Sequence, residues 1–261
     1  MVMKMDSEET SINEVLVSRI SFDERVIAVA ALADSLRREI YRYVVFQGTP
    51  VSRFEVASRF DIAHHIAKFH LDKLVKDGLL EADYKRPNGQ RGGPGAGRPT
   101  KYYRRSSREI SVSLPDRRYD LVGHIFARAF MGVLAHDGSD LKDALRSAAT
   151  SLGISMSREM RQSDGNDDSE TVATELLMSA LGKWGFEPHQ NEGVIVLANC
   201  PFCDLASAYP EIICEMNLDL IQGFVTSLGD PVWNPRLSPS ENRCCIVLSE
   251  SRTLPSGEMC S

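Results

Sequence analysis

Between Asp23 and Phe46 the apolar positions Val26, Ile27, Ala30, Leu36, Ile40, Tyr43 and Val44 recur mainly at spacings of three and four. That period predicts two helices or one bent helix, stopped by Gln47-Gly48-Thr49-Pro50. Ser52 with Glu55 three residues on reads as a capping box opening a short helix, Arg53–Phe60. After a turn at Asp61-Ile62, the next helix runs over Ala63–Asp77 and closes on Gly78. The pattern then becomes strand-like at Leu79–Tyr84 and Thr100–Arg104, around the Gly- and Pro-rich stretch Lys85–Pro99. Helix, turn, helix, then a hairpin with a long tip is the plan of a winged helix-turn-helix domain. Residues Ile110–Pro115 read as one further strand.

The second half alternates differently. Helices are predicted over Asp120–Ala135, Asp140–Leu152 and Thr171–Trp184, with a polar connector at Ser163–Ser169. Phe186–Pro188 and Gly193–Leu197 read as a hairpin, Leu205–Leu228 as mostly helical around Pro210, and Cys244–Leu248 as a last strand. The fold class expected is α+β, a winged helix-turn-helix domain followed by an α+β sensor and dimerisation domain. The boundaries expected are an acidic arm at 1–21, the DNA-binding domain at 22–118 and the sensor domain at 119–261.

Length and charge sharpen this division. A chain of 261 residues accommodates two ordinary domains. Its net charge of −6 conceals an asymmetry: Arg19–Arg118 holds 20 Lys and Arg against 12 Asp and Glu, and the remainder holds 10 against 24. A basic half within an acidic chain points to a polyanion partner for that half alone. No apolar run approaches membrane-spanning length, and the opening MVMKMDSEETS lacks the apolar core of a secretory signal. A cytoplasmic protein without membrane contact is expected.

The candidate nucleic-acid surface follows from the helix 63–77. Ala67, Leu71 and Leu74 form an apolar back, while His64, His65, Lys68, Phe69, Asp72, Lys73 and Lys76 lie on the front and flanks. A recognition helix needs this division, since its back seats it and its first turns reach base edges. Residues 85–105 add Lys85, Arg86, Arg91, Arg98, Lys101, Arg104 and Arg105 with no acid among them. Cations crowded on a Gly-rich tip repel one another, and phosphates relieve that repulsion. Arg98 between Gly97 and Pro99 suits insertion into a minor groove. The DNA-contacting residues expected are therefore His64, His65, Lys68, Phe69, Lys73, Arg86, Arg91, Arg98, Lys101 and Arg104. The stretch GGPGAGRPT is no phosphate-binding loop of the nucleotide-hydrolysing kind, because Arg98-Pro99 stand where Lys-Ser/Thr are required.

All six cysteines, Cys200, Cys203, Cys214, Cys244, Cys245 and Cys260, fall in the last 62 residues. Such clustering points to metal or redox chemistry. Cys200, Cys214 and Cys244, with Cys203 or another group as fourth, supply the thiolates an iron–sulfur cluster needs. Zinc, a reversible Cys200–Cys203 disulfide and plain buried cysteine are the alternatives. On a strand, Cys244 and Cys245 point to opposite faces, so only one of them is expected at the site. Two other functions compete: a small-molecule pocket lined by Phe126, Phe130, Trp184 and Phe186, and a thiol oxidoreductase using Cys200 and Cys203. The second finds no supporting βαβ setting or nucleotide fingerprint.

The motifs HLDKLVKDGLL, GAGRPTKYY and SLPDRRYDL resemble ArsR/DeoR-like winged-helix regulators of actinobacteria. The later NCPF at Asn199–Phe202, PEIIC at Pro210–Cys214 and RCC at Arg243–Cys245 are similar to SufR-type iron–sulfur regulators. The resemblance implies a non-enzymatic homodimer on a palindromic promoter, with affinity set by a [4Fe-4S] or [2Fe-2S] cluster. It implies Cys200, Cys214 and Cys244 as ligands, with Cys203 the first candidate for the fourth and Cys245 the second.

Overall fold

The computed structural model describes residues 21–85, 99–135, 140–163, 170–228, 233–240 and 242–250. Two compact units divide at Val112/Ser113, ahead of the expected boundary at Arg118. Residues just after the division are bonded into the second unit: the Arg118 amide donates to the Pro201 carbonyl and Arg117 Nη1 donates to Asn199 Oδ1. The chain is mixed helix and sheet, with two antiparallel sheets. No described helix is long and apolar enough to cross a membrane.

The first unit opens with α1 (Phe22–Ala31) and α2 (Ser35–Gln47), so the long apolar stretch is two helices. The Asp34 carboxylate caps α2 by accepting from the Arg37 amide at 2.8 Å. Strand β1 (Val51–Ser52) leads into α3 (Arg53–Phe60), where Ser52 and Glu55 close the expected capping box. Helix α4 (His64–Lys76) follows, and Gly78 turns the chain at φ 77°, a conformation that side chains disfavour. Strands β2 (Leu80–Lys85) and β3 (Thr100–Arg105) form an antiparallel hairpin, and β1 joins the free edge of β3. Residues 110–115, expected as a strand, have no strand structure. The core gathers Ala28, Ile40, Val44, Val56, Ala67, Leu71, Leu74 and Tyr103.

The second unit contains α5 (Tyr119–Ala135), α6 (Leu141–Ser163), α7 (Glu170–Lys183), β4 (Pro188–Asn191), β5 (Val194–Leu197), α8 (Cys203–Ala208), α9 (Pro210–Leu228), β6 (Trp233–Leu237) and β7 (Ile246–Glu250). Its sheet runs β4-β5-β7-β6. Helix α6 continues well past Leu152, where the sequence pattern ends it, because Gly153 is a packing device. A Cβ there would lie 2.1 Å from the Leu220 carbonyl oxygen, and one on Gly223 would lie 2.3 Å from that of Thr150. Two glycines thus let α6 and α9 touch backbone to backbone. Strand β6 was not predicted; its Pro235 is tolerated because β6 is an edge strand. The core of this unit is built around Leu121, Ile125, Leu152, Leu177, Phe186, Ile195, Phe202, Leu220 and Ile246.

Candidate functional site

On the first unit, α4 is seated as its pattern demands: Ala67, Leu71 and Leu74 have no solvent exposure. His64, His65, Lys68 and Phe69 are exposed, and His64 packs edge-on against Phe54 at 4.9 Å. Of the seven cations at 85–105, Lys101 and Arg104 are internally paired, as are Lys68 and Lys73 of α4. Lys101 Nζ lies 2.6 Å from Asp72 Oδ1 and Lys68 Nζ lies 3.2 Å from Asp72 Oδ2. Arg104 reaches Glu81 at 2.9 Å and Asp83 at 3.3 Å, and Lys73 reaches Asp77 at 3.0 Å. Tyr103, buried under the hairpin, donates its hydroxyl to Asp72 Oδ1 at 2.9 Å. Burial and that bond push the Tyr103 hydroxyl pKa far up. Asp72 therefore ties α4 to β3 and sets the angle between helix and hairpin. Arg86, Arg91 and Arg98 lie outside the described residues.

On the second unit, Cys200 sits in a turn fixed from several sides. Asn199, itself buried, donates to the Gly185 carbonyl at 2.6 Å and to the Asp116 carbonyl at 3.0 Å, and accepts from Arg117 at 2.6 Å. Phe202 is wholly buried and meets Phe186 edge-on at 6.2 Å. The amide of Cys203 donates to the Cys200 carbonyl at 3.1 Å and starts α8. Cys214 comes from the first turns of α9, which opens with Pro210 at a position where a missing amide hydrogen costs nothing. Cys244 and Cys245 precede β7, in a bend, so strand alternation does not govern them. Both sulfurs join the site, correcting the expectation that only one could.

Cys200 neighbours Cys244, Cys244 neighbours Cys245, and Cys245 neighbours Cys214, close enough for each thiol to perturb the next. Donation from Cys214 and then Cys244, helped by the Arg243 cation, pushes the Cys245 thiol down to about 4. Cys200 is also lowered, chiefly by Cys244, while Cys214 and Cys244 are pushed up by bonding to these neighbours and by burial. Cys200, Cys203, Cys214 and Cys245 line one cavity of about 420 Å³, walled in part by Pro210, Leu237 and Arg243. Cys244 has no exposure at all. The five described cysteines are free thiols, including Cys200 and Cys203, the pair considered for a disulfide.

Among the described residues, no group of three or more His, Cys, Asp or Glu side chains surrounds a single metal-sized point. The thiols form a chain of pairwise contacts, an arrangement unlike a ready-made zinc tetrahedron. Cysteine is the usual ligand of a multi-iron cluster, which spreads its ligands over several metal corners. Cys245 and Cys200, the two thiols whose pKa is lowered, both line the cavity.

The alternative aromatic pocket is dispersed: Trp184 and Phe186 are core residues and Phe130 is 52% exposed. Sequence reasoning missed Glu81, Asp83 and Asn217, whose Nδ2 donates to Cys244 Sγ at 3.5 Å. Asn217 follows Cys214 by one helical turn, a signal that was available. The acids Asp72, Glu81 and Asp83 gave no local hint of their tertiary partners. No family model, no curated protein and no solved structure matches the chain.

Proposed function

We propose that the chain is a DNA-binding transcriptional regulator whose promoter affinity follows the state of an iron–sulfur cluster held by its second unit. The observation that carries this reading is the gathering of cysteines from separate segments: Cys200, Cys203, Cys214 and Cys245 line one cavity, and the buried Cys244 neighbours Cys200 and Cys245. On this reading α1 to β3 is a winged helix-turn-helix module, α4 enters the major groove, and the β2–β3 hairpin is the wing. His65 and Phe69 on the exposed face of α4 reach toward base edges. Lys68, Lys73, Lys101 and Arg104 exchange their internal carboxylates for phosphates.

Cys200, Cys214, Cys244 and Cys245 would hold the cluster; Cys203 lines the cavity beside Cys200, Cys214 and Cys245. On this reading Cys245, whose thiol is lowered and neighbours Cys214 and Cys244, is preferred to Cys203 as the fourth ligand. A bound cluster would supply one-electron redox chemistry and sensitivity to iron and oxidants. The protein residues keep the thiolates affordable: Arg243 lies beside Cys245, and Arg117 Nη1 donates to the Cys200 carbonyl at 3.3 Å. Phe130, Met131 and Leu134 form an exposed apolar strip on α5 that supports pairing with a second copy, as a palindromic site requires.

Two measurements test the proposal. Anaerobically purified protein should carry iron and acid-labile sulfide and show the visible absorption of a cluster. Fluorescence anisotropy of a labelled promoter fragment should give an affinity that falls steeply with salt and differs between cluster-loaded and cluster-free protein. A colourless, iron-free protein refutes the sensor half, and a salt-independent affinity refutes the DNA half.

A further inference from the structure

We propose that Cys214 and Cys245 form a redox modification site: hydrogen peroxide entering the cavity beside the first turns of α9 oxidises the two thiols to a disulfide. This chemistry belongs to the chain without a bound cluster, so it goes beyond the proposed function and needs no metal. Both residues line the cavity of about 420 Å³ and neighbour one another. Neither is fully buried, and both are free thiols. They reach the cavity from parts of the chain that are held separately. Cys214 belongs to α9, which Gly153 and Gly223 lock against α6. Cys245 lies in the bend before β7, where its carbonyl accepts from the Ser238 amide at 2.7 Å. The Arg243 guanidinium lines the same cavity, donating to the Cys244 carbonyl at 3.1 Å and the Ser238 hydroxyl at 3.2 Å.

Geometry disfavours the pairings through Cys244. That residue has no exposure and does not line the cavity, so an oxidant entering there does not reach its sulfur or join it to Cys200. Sequence neighbours such as Cys244 and Cys245 have Cα atoms about 3.8 Å apart, whereas disulfides need about 4.4 to 6.8 Å. With the Arg243 cation beside it, Cys245 is the sulfur that reacts first. Its sulfur attacks hydrogen peroxide: an S–O bond forms, the O–O bond breaks, and hydroxide leaves with the proton of the original thiol as water. The Cys214 sulfur then attacks the resulting sulfenic acid. An S–S bond forms, the S–O bond breaks, and a second water carries off the Cys214 proton. Two electrons pass from the two sulfurs to the peroxide, so two thiols and one peroxide give one disulfide and two waters.

The test uses the full chain, stripped of metal by a chelator, reduced, and treated with equimolar hydrogen peroxide. Free thiols are alkylated before non-reducing digestion and mass spectrometry. Thiol titration should fall from six per chain to four, with Cys214 and Cys245 recovered as one linked peptide pair. C214S should form no disulfide and should instead carry a dimedone adduct on Cys245, the mark of a sulfenic acid. A thiol count that stays at six, or a linkage dominated by Cys200 and Cys203, overturns the inference. Disulfide formation in C214S at the wild-type rate, or a folded C214S without the adduct, also overturns it. The wild-type peptide map decides the matter even where a variant fails to fold. Iron and sulfide uptake, which tests the cluster reading, is measured on a separate sample, so failure of one reading is distinguishable from failure of the other.

Discussion

Replacing Asp72 with asparagine isolates the electrostatics of the helix–hairpin surface with little change of shape. The amide oxygen can still accept from Tyr103, but Lys101 at 2.6 Å and Lys68 at 3.2 Å lose their counter-charge. Asp72 is 33% exposed in its side chain, so two partly solvated ion pairs are at stake and the stability lost is about 1 kcal/mol at neutral pH. Burial pulls the Asp72 carboxyl upward, and hydrogen bonds from Lys101, Tyr103 and Lys68 outweigh it, leaving it below the usual range. As pH falls the unfolded chain therefore takes up this proton first. The stabilisation is whole above about pH 3.9 and is lost as pH drops through the lowered folded value. The urea midpoints of wild type and D72N should converge there. For DNA the sign is opposite. Each freed ammonium that meets a phosphate adds about 0.9 to the slope of log affinity against log salt, so two add up to about 1.8. D72N should bind a labelled duplex more tightly than wild type, with the advantage shrinking roughly tenfold between about 50 and 200 mM salt. Equal or weaker binding by a natively folded D72N would refute the exchange of carboxylates for phosphates.

Three further outcomes follow from named contacts. After anaerobic reconstitution, C245S should lose more than half of the bound iron and sulfide while C203S stays near wild type; the reverse order, by colorimetric iron and sulfide assay, would return the fourth position to Cys203. G153A should destabilise the second unit by about 3 kcal/mol, because its new methyl must displace the α9 backbone; an unchanged melting temperature by calorimetry would contradict the close crossing. S52A removes the N-cap of α3 and should lower stability by about 1 kcal/mol, read from the shift in urea midpoint.

What the sequence revealed was local, and what it hid was tertiary. Ser52 and Glu55 lie three residues apart, so their capping box and the limits of α3 were readable directly. The apolar back of α4 was equally plain, since periodicity depends only on which side meets a core. Gly153 misled because glycine usually weakens a helix, and the reason for it lies in α9, far along the chain. Trp233–Leu237 looked unlike a strand because proline is excluded from sheet interiors, and only its edge position removes the objection. The same limit applied to Cys244 and Cys245. Alternation would separate them on a strand, but β7 begins one residue later and the preceding bend releases both.

The two candidate sites share a physical logic that bears on how ligands would act. In the first unit cations are matched by Asp72, Glu81 and Asp83, and in the second the thiols are matched by one another. These described groups are satisfied without a proposed ligand, so binding through them has to replace existing contacts. Such replacement lowers intrinsic affinity, because part of the binding free energy goes into breaking internal pairs. Under the proposed function it would also make affinity responsive: loosening Asp72 from Lys101 would strengthen phosphate binding, and protonating or oxidising Cys245 would weaken metal retention. A surface of permanently unpaired cations would hold DNA regardless of signal. A set of cations held in reserve by carboxylates gives a regulator an affinity that small structural changes can move in either direction.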